Sequence, residues 1–128
     1  MVQTERQVKG KQGEEYAADC IREKGYEIIA RNYRYGRKAE VDIVAWHEKK
    51  FGGKTLCFIE VKTRKTDDGG AERSVGPAKK KHMQIAAQAF CCDNHINVDA
   101  VPIQFEQISI FVNLDSEPRF RHYEMPAN

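Results

Sequence analysis

Apolar residues recur at helical spacing near the start of the chain and alternate with polar ones through its middle. From Gln12 to Lys24, Tyr16, Ala17, Cys20 and Ile21 form one stripe of a helix. Glu14 and Glu15 fall in its predicted first turn, and Arg22 and Lys24 in its last, the charge order a helix dipole favours. Gly25 supplies a C-terminal stop. A short strand follows over Tyr26–Arg31, then a basic connection from Asn32 to Lys38. Glu40–Trp46 and Leu56–Thr63 read as strands joined by a turn over His47–Lys54 with Gly52 and Gly53, which makes an antiparallel hairpin. Arg64–Gly76 is polar and glycine-bearing and reads as a mobile surface loop. Pro77 opens a second helix running to about Cys91, with Met83, Ile85, Ala86, Ala89 and Phe90 on its apolar side. Strands are expected at Val98–Ile103 and Gln107–Val112, with a weaker one at Phe120–Tyr123. There is no internal repeat, and the simplest architecture is one domain in which helices pack on a mixed sheet.

Composition narrows the function classes. A chain of 128 residues, 41% hydrophobic and 31% charged, suits one folded domain and excludes a fully disordered protein. No apolar run is long enough for a membrane helix. Met1–Gly10 is polar and lacks a signal-peptide core. Cys20, Cys57, Cys91 and Cys92 do not form a secreted disulfide pattern, so the cytoplasm is the expected compartment. Cys91, Cys92 and His95 lack a second ligand pair at zinc-site spacing and read as helix-end packing. The net charge is only +2, but basic residues cluster at Arg31, Arg34, Arg37 and Lys38, at Lys62, Arg64 and Lys65, and at Lys79, Lys80 and Lys81. Local positive charge is what phosphate binding needs, although solvated surfaces give the same pattern.

The carboxylates change the picture further. Residues two apart on a strand share a face, so Glu60 goes with Lys62 and Glu40 with Asp42. The midpoint between Asp42 and Glu60 is Phe51, in the predicted turn, and a hairpin centred there sets Asp42 beside Glu60. Val41, Ile43 and Ala45 alternate with the acids on the first strand. Taken alone, Glu60-x-Lys62 is more often an ordinary strand charge pair. With Asp42 at the matching hairpin position, the two carboxylates offer hard oxygen ligands for Mg²⁺. Such a cation acidifies water and offsets charge on phosphate oxygens, and a nearby lysine can position water or stabilise charge. This is equipment for phosphodiester hydrolysis.

Asp42 followed by Glu60-Val61-Lys62 resembles the D…(D/E)xK signature of restriction-endonuclease-like nucleases (the PD-(D/E)xK superfamily). More specifically, the chain resembles the small bacterial YraN-like family of predicted endonucleases. Gly10, Gly13, Glu14 and Ala17 fit its opening helix. Gly25, Tyr26, Ile29, Asn32 and Arg34 fit the strand and turn that follow. Glu40, Val41, Asp42 and Ile43 fit its GEIDLI-type segment, and Phe58–Arg64 its FVEVKxR segment. Lys79 fits the lysine opening its second helix, and Val98–Val101 loosely match a later strand. The resemblance implies an α/β fold with a central mixed β-sheet flanked by helices. It implies that Asp42 and Glu60, with the Val61 carbonyl as a third ligand, hold Mg²⁺ or Mn²⁺, and that Lys62 assists the water. Glu14 and Glu40 would be accessory acids, and Arg34, Arg64 and Lys79 would meet nucleic acid, DNA in preference to RNA. Ala39 stands where the family has glycine, and Val41 where the broader signature has proline. The tail from about residue 113 matches poorly.

Plainer readings stand beside these. Glu14 suits a helix dipole, Glu40 an edge pair with Arg37 or Lys38, Arg64 a solvated loop, and Trp46 and Tyr33 ordinary packing. His47, His82, His95 and His122 form no metal motif. The alternative to a metal-dependent nuclease is a non-catalytic nucleic-acid-binding module with the same fold. A protein-interaction scaffold is a weaker third reading. The sequence leaves the oligomeric state open, a homodimer included.

Overall fold

The computed structural model describes residues 5–48, 53–64, 77–113 and 116–125. In chain order the elements are α1 (Glu5–Glu23), β1 (Glu27–Tyr35), β2 (Ala39–Glu48), β3 (Lys54–Arg64), α2 (Pro77–Asp93), β4 (Ile103–Asn113) and β5 (Ser116–Glu124). The strands form one open sheet in the order β1-β2-β3-β4-β5. Every neighbouring pair is antiparallel except β3 and β4. A parallel pair needs a crossover, and α2 lies within it.

The sheet is sandwiched between the helices. Ala17, Ala18 and Ile21 of α1, with Tyr26, pack on Ile43, Ala45, Cys57, Ile59, Val61, Ile108 and Ile110. Ala86, Ala87, Phe90 and Cys91 of α2 pack with Ala39, Val41, Val44, Leu56 and Phe58. Covered on both faces, β3 is buried from Thr55 through Val61, which explains its nearly continuous apolar run. Glu60 is the charged exception. A side chain at Gly13 of α1 would overlap Thr63 Oγ1, so glycine lets this helix lie directly against the end of β3.

The antiparallel β2–β3 hairpin has the register its sequence midpoint implies, from Ile43↔Ile59 to Glu48↔Lys54. His47, Glu48 and Lys54, assigned to the turn, are strand residues; residues 49–52 of that turn lie outside the described ones. So does the predicted loop from 65 to 76. Helix α1 begins well before Gln12, so Glu14 and Glu15 sit in its interior and not in its first turn. Strand β1 continues through the expected connection as far as Tyr35. Its irregularities are a register shift between Ile28 and Ala30 and a left-handed Asn32, φ 53°. Asparagine is among the residues that tolerate this conformation.

The largest difference is at Val98. The Asn97 side chain accepts from Asp99 N at 3.0 Å, and Ala100 N donates to Asn97 O at 3.0 Å, forming a turn. This Asx chemistry overrides the strand preference of Val98 and Val101, and β4 starts only at Ile103. The poorly matched tail supplies β5, an edge strand of the same sheet.

Candidate active site

The strict alternation expected of β2 fails at Asp42. Ala39, Val41 and Val44 belong to the α2-side cluster, whereas Ile43 and Ala45 belong to the α1-side cluster. The inward-facing side therefore changes across Asp42. The described β2–β3 pairing also ends beside it, at Ile43↔Ile59. Continued by two residues, the ladder would set Val61 against Val41. Instead Val61 N donates to Asp42 Oδ2 at 2.8 Å. A strand residue presents its N–H and C=O on the same edge, so the Val61 carbonyl also leaves β3 toward Asp42.

Glu60 is 5% exposed. Its Oε1 lies 3.2 Å from Lys79 Nζ and 3.7 Å from Lys62 Nζ. Two ammonium groups from different elements thus converge on one carboxylate oxygen. Asp42 has no such compensation among the described residues. Burial, reinforced by the charge of Glu60, pushes its carboxyl up to about 7, against the Val61 amide and Lys79, which favour the ionised form. Glu14 reaches the same centre from α1. Its carboxyl is raised chiefly by burial and then by the charge of Asp42, with Glu40 adding to the effect and Arg31 opposing it. Glu40 pairs with Arg34 at 3.1 Å, not with Arg37 or Lys38.

The fold therefore gathers Glu14, Glu40, Asp42, Glu60, Lys62 and Lys79. Arg64 ends β3 two residues past Lys62, and its Nε is buried without a hydrogen-bond partner among the described residues. Tyr33 is absorbed by packing: its hydroxyl donates to Asp93 at 2.9 Å and its ring meets Phe90 edge-on. Trp46 packs against the α2-side core. Two residues carry a structural signal that the sequence did not show. Asn32 of β1 lies opposite Asp42, between the Arg31↔Ile43 and Tyr33↔Val41 pairs; the sequence puts it in a connection, so no strand position marked it. Lys80 is buried with its amine unpartnered among the described residues; a run of three lysines concealed it.

The donor set fits a hard divalent cation. Asp42 and Glu60 would offer carboxylate oxygens and Val61 a carbonyl, and the Asp42 carboxyl is raised first by burial and then by the negative charge of Glu60. Among the described residues no group of three or more His, Cys, Asp and Glu is arranged to hold a metal ion. Mg²⁺ does not require one, because it keeps several waters and is often held by one or two carboxylates.

Comparison with known proteins gives the family. A UPF0102 protein of Prosthecochloris aestuarii (strain DSM 271 / SK 413) is 39% identical over 118 residues, 91% of this chain and 86% of that protein. One from Chlorobium limicola (strain DSM 245 / NBRC 103803 / 6330) is 49% identical over 82 residues, 63% of this chain and 59% of the relative. A third, from Chlorobium phaeobacteroides (strain DSM 266 / SMG 266 / 2430), is 38% identical over 117 residues, 91% and 86% of the two chains. A family model matches residues 13–110, the stretch that contains every acid and lysine of the site: the chain belongs to the uncharacterised protein family UPF0102.

Proposed function

We propose that this protein is a metal-dependent nuclease of the restriction-endonuclease-like kind, hydrolysing phosphodiester bonds in DNA in preference to RNA. The observation that carries this reading is the meeting of Asp42 and Glu60 where β2 and β3 part, with Val61 N fixed on Asp42 and Lys62 beside Glu60. Asp42, Glu60 and the Val61 carbonyl would hold Mg²⁺ or Mn²⁺. Bound there, the cation would supply Lewis acidity, lowering the pKa of water and offsetting charge that builds on the phosphate.

The chain's own groups do the rest. The Val61 amide orients the Asp42 carboxylate and leaves its other oxygen for a ligand. Lys62, part-exposed near the end of β3 and 3.7 Å from Glu60, would hold an attacking water or donate to a phosphate oxygen. Glu14 and Glu40 add negative charge that draws a cation to the centre. Arg34 and Arg64 flank it with positive charge for the backbone of the nucleic acid.

The test is to incubate purified protein with plasmid, single-stranded and branched DNA, and with RNA, in Mg²⁺ or Mn²⁺. Wild type should cleave at least one of them, and Asp42→Ala and Lys62→Ala should cut at least about 100-fold more slowly. Equal cleavage by all three would mark a contaminant. The second reading, a non-catalytic nucleic-acid-binding module, draws on the Lys79–Glu60 pair, which balances Glu60 without any metal. It predicts salt-sensitive binding with no metal-dependent turnover.

A further inference from the structure

Glu60 Oε1 is crowded in a way the nuclease reading leaves unexplained. The carboxylate that would ligate the cation already carries two ammonium groups on its Oε1, Lys79 at 3.2 Å and Lys62 at 3.7 Å. Mg²⁺ sits about 2.0–2.1 Å from a carboxylate oxygen, and adding it here would put three positive centres around one buried carboxylate. Close like charges at a site of reduced dielectric repel, so withdrawal of one lysine would relieve the crowding.

The geometry identifies which one. Lys62 belongs to the same strand as Glu60, two residues on, and makes the longer contact. Lys79 comes from a separate element, the first turn of α2, and makes the shorter one. Exposure does not separate the two, Lys79 being 31% and Lys62 37% exposed; the shorter contact and the separate element single out Lys79, whose amine has part-exposed space to enter. The first turn of a helix is an unfavourable place for a cation unless an anion lies nearby. Glu60 is that anion without metal; a phosphate group can be that anion with it.

We infer that Lys79 is an exchangeable counter-ion: it neutralises Glu60 in the metal-free protein and is displaced toward a nucleic-acid phosphate when a divalent cation takes its place. This deepens the metal-dependent reading and rests on it. Lys79 then couples the two ligands, because either one that holds the lysine away from Glu60, or keeps Glu60 occupied, favours the other. The protein would bind its metal weakly when alone and more tightly on nucleic acid.

The test is Mn²⁺ titration by calorimetry without nucleic acid, on wild type, Lys79→Gln, Lys79→Arg and Asp42→Asn. Removing the competing charge should tighten Mn²⁺ binding by roughly 3- to 10-fold in Lys79→Gln, the scale of one part-exposed charged hydrogen bond. Lys79→Arg keeps a cation and should stay within about 2-fold of wild type. A fluorescein-labelled DNA duplex supplies the other half. In Ca²⁺, Lys79→Gln should weaken its binding by about 3-fold or more, and in EDTA it should change little.

Equal Mn²⁺ affinity in wild type and Lys79→Gln, with binding still lost in Asp42→Asn, overturns the exchange and leaves the metal site standing. Tightening by Lys79→Arg as large as by Lys79→Gln also overturns it. Mn²⁺ binding that is absent, or indifferent to Asp42→Asn, overturns both readings. Should Lys79→Gln not fold, lysine-selective NMR of the wild type decides: the Lys79 side-chain signal should move as Mg²⁺ saturates the site, and an unmoved signal refutes the exchange.

Discussion

The amide of Val61 bonds the side chain of Asp42, at 2.8 Å, where an unbroken hairpin would have bonded the backbone of Val41. This one substitution of partner links fold and site. It ends the β2–β3 ladder without orphaning a buried N–H, which would itself be costly. It also locks Asp42 beside Glu60 and turns the Val61 carbonyl toward the same place.

The first prediction concerns the charge stored there. Asp42 ionises near its ordinary 3.8 when unfolded and near 7 when folded. Folding thus favours its protonated form; that contribution is complete below about pH 3.8 and lost as pH rises through about 7. Asp42→Asn carries no charge at any pH and can still accept from Val61. In EDTA its stability relative to wild type should increase across this window, by on the order of 1–3 kcal/mol at pH 8. Urea unfolding at pH 4 and pH 8 checks this, and a pH-independent difference would contradict it.

The second concerns how α1 meets β3. Gly13→Ala gains about 1 kcal/mol of helix propensity, but its new methyl collides with Thr63 Oγ1. Overpacking of this kind costs about 1–3 kcal/mol, and Thr63 is short, branched and set in a strand, with little freedom to yield. Gly13→Ala should lower the urea midpoint, and adding Thr63→Ala should restore most of the loss. A Gly13→Ala variant more stable than wild type would show that the helix can slide away.

A third arises on the opposite side of the sheet from the lysines. Glu106 is 1% exposed and is held by His122 at 2.5 Å, Gln104 at 2.5 Å and Tyr26 at 3.0 Å. Burial alone would raise its carboxyl, but the bond and charge of His122, with bonds from Cys57 and Tyr26, hold it below the ordinary 4.5. A lowered carboxyl contributes stability above about pH 4.5, lost as pH falls through the lower native value. Glu106→Ala leaves these buried partners unsatisfied and should cost about 2–5 kcal/mol near neutral pH, with a smaller cost near pH 3. Thermal unfolding of both proteins across that range is the check, with no effect on Mn²⁺ affinity expected.

The sequence displayed those features whose physics is local. The hairpin register was readable because Asp42 and Glu60 are symmetric about position 51, and α2 because Pro77 precedes an apolar periodicity. The Glu14 position was misjudged because α1 extends into a polar stretch without apolar periodicity to mark it. As a result the dipole explanation for Glu14 falls away, and its proximity to Asp42 is left as the stronger fact. Val98 misled because two β-branched residues outweighed the Asn97 turn in the reading but not in the fold. Least legible was the pairing of Lys79 with Glu60, which depends on where α2 returns to the sheet and has no signature in either segment alone.

The central claim is that Asp42 and Glu60 form a divalent-metal site, and anomalous diffraction from a crystal soaked in Mn²⁺ tests it most directly. An Mn²⁺ peak is expected in contact with both carboxylates and with the Val61 carbonyl, absent from Asp42→Asn crystals. Saturating Mn²⁺ with no peak there, or a peak only at other residues, would contradict it.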